Sequence, residues 1–154
     1  MLRKLLVLSL IAAALPAAAQ SSTAVHDSVM QAVRHFIDGF NKGDSAATVA
    51  ACASETSILD EFPPHEWHGA GACASWVGAF DVDAAKNGIT DPVVTIHKPT
   101  HVDVSGDLAY VVLPADYVYK QHGKTVREHG SILTLTLRKG ASGWLLTGWA
   151  WAKH

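Results

Sequence analysis

The change of pattern at Asp91 is the feature of the sequence that most constrains its fold. From this residue onward apolar and polar residues alternate, as in half-buried strands, whereas apolar residues before it recur mostly at helical spacing. The alternating runs cover residues 92–104, 108–120, 124–138 and 144–153, with glycine-containing segments between them. The pattern predicts a meander of four strands, the first of which either continues through Pro99 or breaks there.

Apolar residues at helical spacing predict two longer helices in the first half. The first stripe comprises Val29, Val33, Phe36, Ile37 and Phe40, and the second comprises Cys73, Trp76, Val77, Phe80 and Ala84. Gly43 and Gly88 suit the C-terminal caps of these helices, the second of which begins near Gly69 or Gly71. Between them, Asp44 can cap a short alanine-rich helix over residues 45–54.

One strand is expected between the second and third helices. Residues 56–62 alternate so that Ile58, Asp60 and Phe62 share one side, and the proline pair that follows cannot continue a ladder of hydrogen bonds. Helices that come first and strands that come later indicate an α+β fold rather than a parallel α/β fold. We expect residues 24–153 to form a single domain.

Residues 1–19 have the layout of a secretory signal peptide. Arg3 and Lys4 precede an apolar core, and small residues lead to a cleavage site after Ala19. The apolar run is shorter than the roughly 20 residues that a membrane anchor needs. We therefore expect an exported protein, most simply periplasmic, with no stable membrane insertion and with residues 21–25 as a loose leader.

Charge argues against nucleic acid as a partner. The chain has 12 Lys and Arg against 14 Asp and Glu, and the predicted signal peptide contains two of the basic residues. The remaining excess of acidic side chains provides no basic footprint for nucleic acid.

The cysteines allow two interpretations, and the histidines are the residues to consider for a metal site. Export permits a disulfide between Cys52 and Cys73, but two buried thiols fit the sequence equally. Two histidine pairs, at 65 and 68 and at 97 and 101, lack the third ligand of a catalytic zinc site. We expect neither a metal nor a cofactor.

Three short segments resemble the nuclear transport factor 2-like (NTF2-like) superfamily, which includes SnoaL-like cyclases and ketosteroid isomerases. They read FIDGFNKGD at 36–44, TSILD at 56–60 and GWLL at 143–146. The resemblance covers most of the mature chain. It implies a strongly curved antiparallel sheet around three N-terminal helices, a cystatin-like cone with an internal pocket. It also implies a small hydrophobic ligand and a homodimer that forms through the sheet.

Asp60 is the leading catalytic candidate. The resemblance aligns it with the carboxylate that shuttles a proton in the isomerases, and alternation places it beside Ile58 and Phe62. Apolar neighbours raise the pKa of a carboxyl group and strengthen it as a base once ionised. The alternative is that the carboxylate of Asp60 faces solvent or caps the next turn. We expect Glu61 and Glu66 to face solvent.

The chain departs from the isomerases in the groups that stabilise an oxyanion. Phe36 occupies the position of their tyrosine donor, and their second donor aligns loosely near Ser131. Tyr117 and Tyr119 lie on one face of their predicted strand, where either hydroxyl is able to donate instead. We therefore expect no authentic steroid isomerase activity.

The polar segment before Ser131 allows two orientations. Leu133 and the leucines that follow it define the inward side of their strand, and counting back places Ser131 and His129 inward. A bulge at Gly130 would instead turn Glu128 inward. Either Glu128 or His129 is thus a candidate catalytic residue.

The remaining candidates are aromatic residues and a histidine. His65 either pairs with Asp60, as in relatives of the dehydratase type, or faces solvent. We expect the substrate-binding set to comprise Phe36, Phe62, Trp67, Trp76, Tyr117 and Ser131, with Trp67 at the rim. Trp149 and Trp151 share one face of the last strand, where they lie in the core, at an interface or along a pocket for a flat hydrophobic ligand, and Trp144 lies on the other face.

Two functions are compatible with these residues. One is a cofactor-independent lyase or isomerase that acts on a small hydrophobic substrate, with Asp60 as general base. The other is a non-catalytic binding or dimerisation module for a small hydrophobic ligand or a protein. A carboxylate of Asp60 inside a cavity, in contact with a second titratable group, favours the enzyme, and a solvent-facing one favours the module.

Overall fold

A curled sheet of seven strands surrounds three helices in the computed structural model, which describes residues 17–154 and their side chains from residue 22 onward. The helices are α1 (Ala17–Asn41), α2 (Ser45–Ala50) and α3 (Ala72–Asn87). The strands are β1 (Cys52–Leu59), β2 (Glu66–Ala70), β3 (Ile89–Ile96), β4 (His101–Ser105), β5 (Leu108–Gln121), β6 (Lys124–Gly140) and β7 (Gly143–Ala152). The predicted α+β class is confirmed. The predicted signal peptide lies outside the described residues, except for its last three.

The sheet is mixed rather than wholly antiparallel. Its strand order is β2-β1-β7-β6-β5-β3, and β4 also pairs with β5. β1 runs parallel to β7, while the other pairs are antiparallel. The parallel pair is possible because β1 and β7 are distant in sequence, so that no tight hairpin determines their relative direction.

Several element boundaries differ from the prediction. Residues 21–25, expected to be a loose leader, belong to α1, since Val25 packs against the core. α2 ends at Ala50 because β1 already begins at Cys52. β2 was not predicted, because Trp67 alone among its five residues is both large and apolar. The first predicted strand of the meander breaks at Pro99 into β3 and β4, which pair with different parts of β5.

A disulfide joins Cys52 to Cys73 and so ties the start of β1 to the first turn of α3. The two residues are 21 positions apart, and closing a loop of that size in the unfolded chain stabilises the fold by about 3 kcal/mol. The sequence had left both the bond and a pair of free thiols open.

The core lies between the helices and the concave face of the sheet. Its fully buried residues include Val33 of α1, Ile58 of β1 and Leu135 of β6. Trp144 is buried on this same face, not on the opposite one as predicted. The register between β6 and β7 shifts between Leu146 and Gly148, and this irregularity changes the phase of alternation along β7. Trp144 and Trp149 therefore both point inward.

Within residues 17–154, no helix combines the length and apolar character that crossing a bilayer requires.

Candidate functional site

A cavity opens between α1, α3 and the concave face of the sheet. The space open to the centre of a water-sized molecule is about 70 Å³, and the wider empty space, with the open solvent at the mouth counted, is about 510 Å³. Most of its wall is apolar, and three of the residues predicted to bind substrate, Phe36, Phe62 and Trp76, contribute rings to it. Of the described lining side chains, Asp60, Glu61 and Tyr117 are able to ionise. The cavity thus combines an aromatic wall with a few polar groups, as ligand sites commonly do.

The end of β1 delivers Asp60 to this cavity. Thr56 and Ile58 are buried on the inner face of β1, and Asp60 follows them in the same phase directly after the strand ends. Two main-chain hydrogen bonds close the loop that follows, from Asp60 N–H to the His65 oxygen (3.0 Å) and from His65 N–H to the Phe62 oxygen (2.9 Å). The loop therefore holds the backbone of Asp60 in place.

The carboxylate of Asp60 accepts two hydrogen bonds and is nevertheless destabilised. Trp76 Nε1–H donates to Oδ2 (2.8 Å), and the Glu61 amide donates to Oδ1 (2.7 Å). Burial opposes ionisation more strongly than these bonds favour it, and it raises the pKa of Asp60 from 3.8 to about 6. The group is consequently ionised at neutral pH and is a stronger base than an ordinary carboxylate.

His65 does not pair with the carboxylate of Asp60. Its Nδ1 lies 3.2 Å from the main-chain oxygen of Asp60, and its side chain is exposed outside the cavity. The backbone of His65 has φ 76°, in the left-handed region, which the closed loop imposes. The sequence-based expectation of an acid–base couple between these side chains is not met.

A bulge in β6 decides which polar residue faces inward. Tyr117 of β5 is the register partner of Glu128, while Ala115 is the partner of Ser131, so β6 has one extra residue between these pairs. Gly130 has φ +79° there, a conformation that glycine adopts easily. Glu128 accordingly points inward with 10% of its side chain exposed. His129 points outward with 66% exposed, so the structure separates this candidate from the cavity.

Glu128 belongs to a polar cluster beside the mouth of the cavity. Its Oε1 accepts hydrogen bonds from the hydroxyl of Tyr119 (3.1 Å) and from Nζ of Lys153 (2.6 Å). Lys153 also lies 3.2 Å from Oε2 of Glu61. Glu128 raises the pKa of Lys153, which therefore remains a cation. Tyr119 is thus engaged with Glu128 rather than with the cavity.

Tyr117 lines the cavity, and its hydroxyl is unengaged. Its oxygen is buried and has no hydrogen-bond partner among the described residues. Burial raises the pKa of Tyr117, so the group stays protonated at neutral pH and is able to donate a hydrogen bond.

Solved structures resemble this arrangement of helices and strands, although no protein-family model and no curated protein matches the sequence. An NTF2-like protein with a cystatin-like fold from Novosphingobium aromaticivorans has a TM-score of 0.68 and 16% identity, covering 88% of this chain and 86% of that one. A ketosteroid isomerase-like protein from Erwinia carotovora atroseptica has a TM-score of 0.65 and 18% identity, with coverage of 83% and 95%. An NTF2-like superfamily protein from Salmonella enterica serovar Typhimurium has a TM-score of 0.70 and 13% identity, with coverage of 86% and 92%.

This chain has the NTF2-like fold.

Two predicted substrate-binding residues lie behind the wall of this NTF2-like cone. Trp67 is buried against Phe62, with ring centroids 5.2 Å apart, and does not line the cavity or its rim. It is covered because β2 pairs with β1 and places Trp67 opposite Ile58. Ser131 is fully buried beyond the lining residues, and its hydroxyl has no partner among the described residues.

The predicted site residues did not include Glu61, Trp149 or Trp151, although lining a pocket was one alternative for the two tryptophans. Glu61, expected to be solvated, lines the opening, and Trp149 and Trp151 form part of the wall. The alternation of β7 carried the signal for both tryptophans, since it placed them on one face. No local pattern marked Lys153, whose role depends on contacts with two distant carboxylates.

Among the described side chains of residues 22–154, no three from His, Cys, Asp or Glu lie close enough to hold a metal ion.

Proposed function

We propose that this protein is a cofactor-independent isomerase or lyase that moves a proton on a small hydrophobic molecule, with Asp60 as general base. The supporting observation is the carboxylate of Asp60 in an aromatic cavity, where burial raises its pKa to about 6. A base with a pKa just below neutrality is ionised and still binds a transferred proton well. The solved Erwinia protein described as ketosteroid isomerase-like supports the same class of chemistry, although the likeness is one of fold.

The geometry is suited to removing a proton next to a carbonyl group. Asp60 takes the proton, the electron pair of the C–H bond moves toward the carbonyl oxygen, and that oxygen becomes negatively charged. Tyr117, whose hydroxyl is buried and unengaged, donates a hydrogen bond to it. Such a donor contributes most where charge develops away from water. Asp60 then returns the proton to a different carbon in an isomerisation, or a neighbouring group departs in an elimination.

Phe36 supplies shape rather than a hydrogen bond in this scheme. It is buried in the cavity wall, and its ring centroid lies 5.8 Å from that of Trp149. Tyr117 therefore takes the role of donor from the opposite side, on the sheet.

The proposal is tested by proton exchange on a simple hydrophobic ketone. β-Tetralone has acidic protons next to its carbonyl group, and their replacement by deuterium in heavy water is followed by NMR. We expect the wild-type protein to catalyse this exchange and Asp60→Asn to lose it. The matched control is Asp116→Asn on the outer face of the sheet. Equal exchange by the wild-type protein and Asp60→Asn would remove Asp60 from the mechanism.

A non-catalytic binding module is the second candidate. The Asp60 carboxylate is hydrogen-bonded by Trp76 and by the main-chain amide of Glu61, neither of which titrates. A catalyst with a proton relay would place a titratable partner there. β-Tetralone that binds with unchanged exchange relative to buffer would favour this candidate.

We also propose that the protein is exported to the periplasm, cleaved after Ala19 and dimeric through the outer face of the sheet. The Cys52–Cys73 disulfide supports export, because such bonds persist in oxidising compartments. N-terminal sequencing of the periplasmic fraction tests the cleavage, and light scattering of the mature protein tests the dimer. An uncleaved cytoplasmic chain would contradict the first, and a monomeric mass would contradict the second.

A further inference from the structure

We infer that Phe40 and Phe80 restrict the ligand to compact molecules, because their rings separate the cavity beside Asp60 from a second, larger cavity. This inference rests on the proposed function, since it takes the cavity beside Asp60 as the ligand site, but it requires no catalytic step. Phe40 lies in the last turn of α1 and Phe80 in the middle of α3. Both side chains are half-buried.

The second cavity lies between the end of α1, α2, α3 and the start of β3. Its wall includes Thr48 of α2, Val77 and Ala84 of α3, and Pro92 of β3. The space open to the centre of a water-sized molecule is about 330 Å³ there, against about 70 Å³ in the first cavity. The wider empty space, with open solvent counted, is about 820 Å³. The larger of the two spaces is therefore not the one that contains Asp60.

Three of the described aromatic residues, Phe40, Trp76 and Phe80, line both cavities. The ring centroids of Phe40 and Phe80 are 5.0 Å apart in an edge-to-face arrangement. Trp76 lies 5.7 Å from Phe40 and 6.1 Å from Phe80, so the three rings pack against one another. Trp76 is also held by its hydrogen bond to Asp60, which leaves Phe40 and Phe80 as the apolar part of this partition.

The strand β3 shows that the two cavities adjoin along one surface. Val94 lines the first cavity and Pro92 the second, and both are half-buried, whereas Val93 between them is exposed. Residues two positions apart on a strand face the same side. The side chain of Asn41 donates to the main-chain oxygen of Val94 (2.8 Å) and accepts from its amide (2.7 Å). These bonds hold the end of α1, and with it Phe40, against this surface.

The partition limits what a longer ligand gains. Each CH₂ group that a ligand buries strengthens binding by about fourfold. A chain attached to a ligand in the first cavity meets the rings of Phe40 and Phe80 or extends into water, so it buries little additional surface. Without either ring, the same chain would enter the second cavity. The two phenylalanines therefore favour compact ketones over long-chain ones.

Two phenyl ketones test the length limit. Butyrophenone has as many carbons as β-tetralone, and octanophenone has the same ring and carbonyl group with a longer chain. Binding is followed by tryptophan fluorescence, since Trp76 and Trp149 line the first cavity. We expect the wild-type protein to bind the two ketones within about fourfold, and Phe80→Ala and Phe40→Ala each to prefer octanophenone by at least about tenfold. Val77→Ala alters the second cavity alone and should keep the wild-type ratio.

Thiol labelling shows whether the chain reaches the second cavity or only fills the space that the ring has left. Ala84 lines the second cavity, and Cys52 and Cys73 are joined in the disulfide, so Ala84→Cys supplies a thiol that N-ethylmaleimide can label. We expect saturating octanophenone to slow this labelling by at least about fivefold when Phe80→Ala is also present, and to leave it unchanged when Phe80 is retained.

A ratio below about tenfold in both folded variants, or one of tenfold or more in the wild type, would overturn the inference. Failure of the wild type to bind either ketone, or unprotected labelling in the double variant, would overturn it as well. Circular dichroism checks folding, and Phe80→Leu replaces an alanine variant that does not fold. β-Tetralone exchange on the same samples separates the two proposals, because exchange that depends on Asp60 without any length limit contradicts the present inference alone.

Discussion

Two aspartates on opposite faces of the NTF2-like cone show how burial and hydrogen bonding compete. Asp60 faces the cavity and accepts hydrogen bonds from Trp76 and the Glu61 amide. Asp116 lies on the outer face of β5 and accepts from His97, His129 and the Gly130 amide. Burial raises the pKa of Asp60 to about 6, whereas the hydrogen bond from His97 is the main cause that lowers the pKa of Asp116.

The number of hydrogen bonds alone therefore does not make a carboxylate a useful base. Both groups are well supplied with donors, but water solvates only the outer one, and loss of water at Asp60 outweighs the two bonds it receives. The contrast assigns the inner aspartate to chemistry and the outer one to surface structure, and each prediction below tests that division.

The largest expected effect is on catalysis. Asp60→Asn removes the base and should slow β-tetralone exchange by about 100-fold or more, whereas Asp116→Asn should leave the rate within about twofold. NMR exchange rates at one pH measure both. A comparable loss in the two variants would mean that the assay reports stability and not chemistry.

The pH dependence of the free energy of unfolding should also differ between Asp60→Asn and Asp116→Asn. Because folding raises the pKa of Asp60, the folded state binds its proton more tightly than the unfolded state does. Protonation of Asp60 therefore adds to the free energy of unfolding, fully so below pH 3.8. This contribution, at most about 3 kcal/mol, is lost as the pH rises to about 6.

Asp60→Asn should abolish that loss, so that the variant becomes more stable relative to the wild type as the pH rises from about 4 to about 7. Asp116 should affect stability in the opposite direction. Because folding lowers its pKa, its ionised form stabilises the folded state above the ordinary pKa of an aspartate, and this stabilisation is lost on acidification. Urea unfolding at several pH values measures both slopes. Identical slopes for the wild type and Asp60→Asn would show that Asp60 titrates normally.

A smaller effect is expected from the indole donor. Trp76→Phe removes the hydrogen bond to Oδ2 of Asp60 and should move the midpoint of its titration upward by about one pH unit. Trp149→Phe is the matched control, because its Nε1–H has no partner among the described residues. The midpoint is read from the pH dependence of exchange. An upward change in both variants would indicate altered burial rather than a lost donor.

The smallest effects belong to the outer face. His97→Ala removes the main donor to Asp116 and should raise the pKa of that carboxyl group toward its usual value. The melting temperature should remain unchanged within error, since exposed ion pairs contribute little. Carboxyl NMR titration and thermal unfolding measure the two quantities. A clear loss of thermal stability would show that the cluster supports the sheet more strongly than its exposure suggests.

Regular periodicity predicted the α+β class and the side of the strand on which Asp60 lies, while irregular backbone decided the orientation of other residues around the site. The stripe of α1 and the leucines of β6 lie inward as their spacing predicts, since each has an uninterrupted phase. Glu128 and Trp144 follow irregularities that change the phase by one residue. Sequence reasoning recognised the first as an alternative and missed the second, although Gly148 lies at the irregularity and an isolated glycine within a strand often marks a bulge.

The sequence by itself determined the class of fold and the placing of one carboxylate on an apolar face, because hydrophobic periodicity is a local property that burial then enforces. The tertiary structure alone decided the ion pairs of Lys153, the disulfide, the outward turn of His129 and the isolation of His65 from the Asp60 carboxylate. These features depend on distances between segments far apart in the chain, or on a single extra residue in a strand. Gly130 marks a place where a bulge can form, but no local pattern of residue types decides whether it forms, and none encodes the distances.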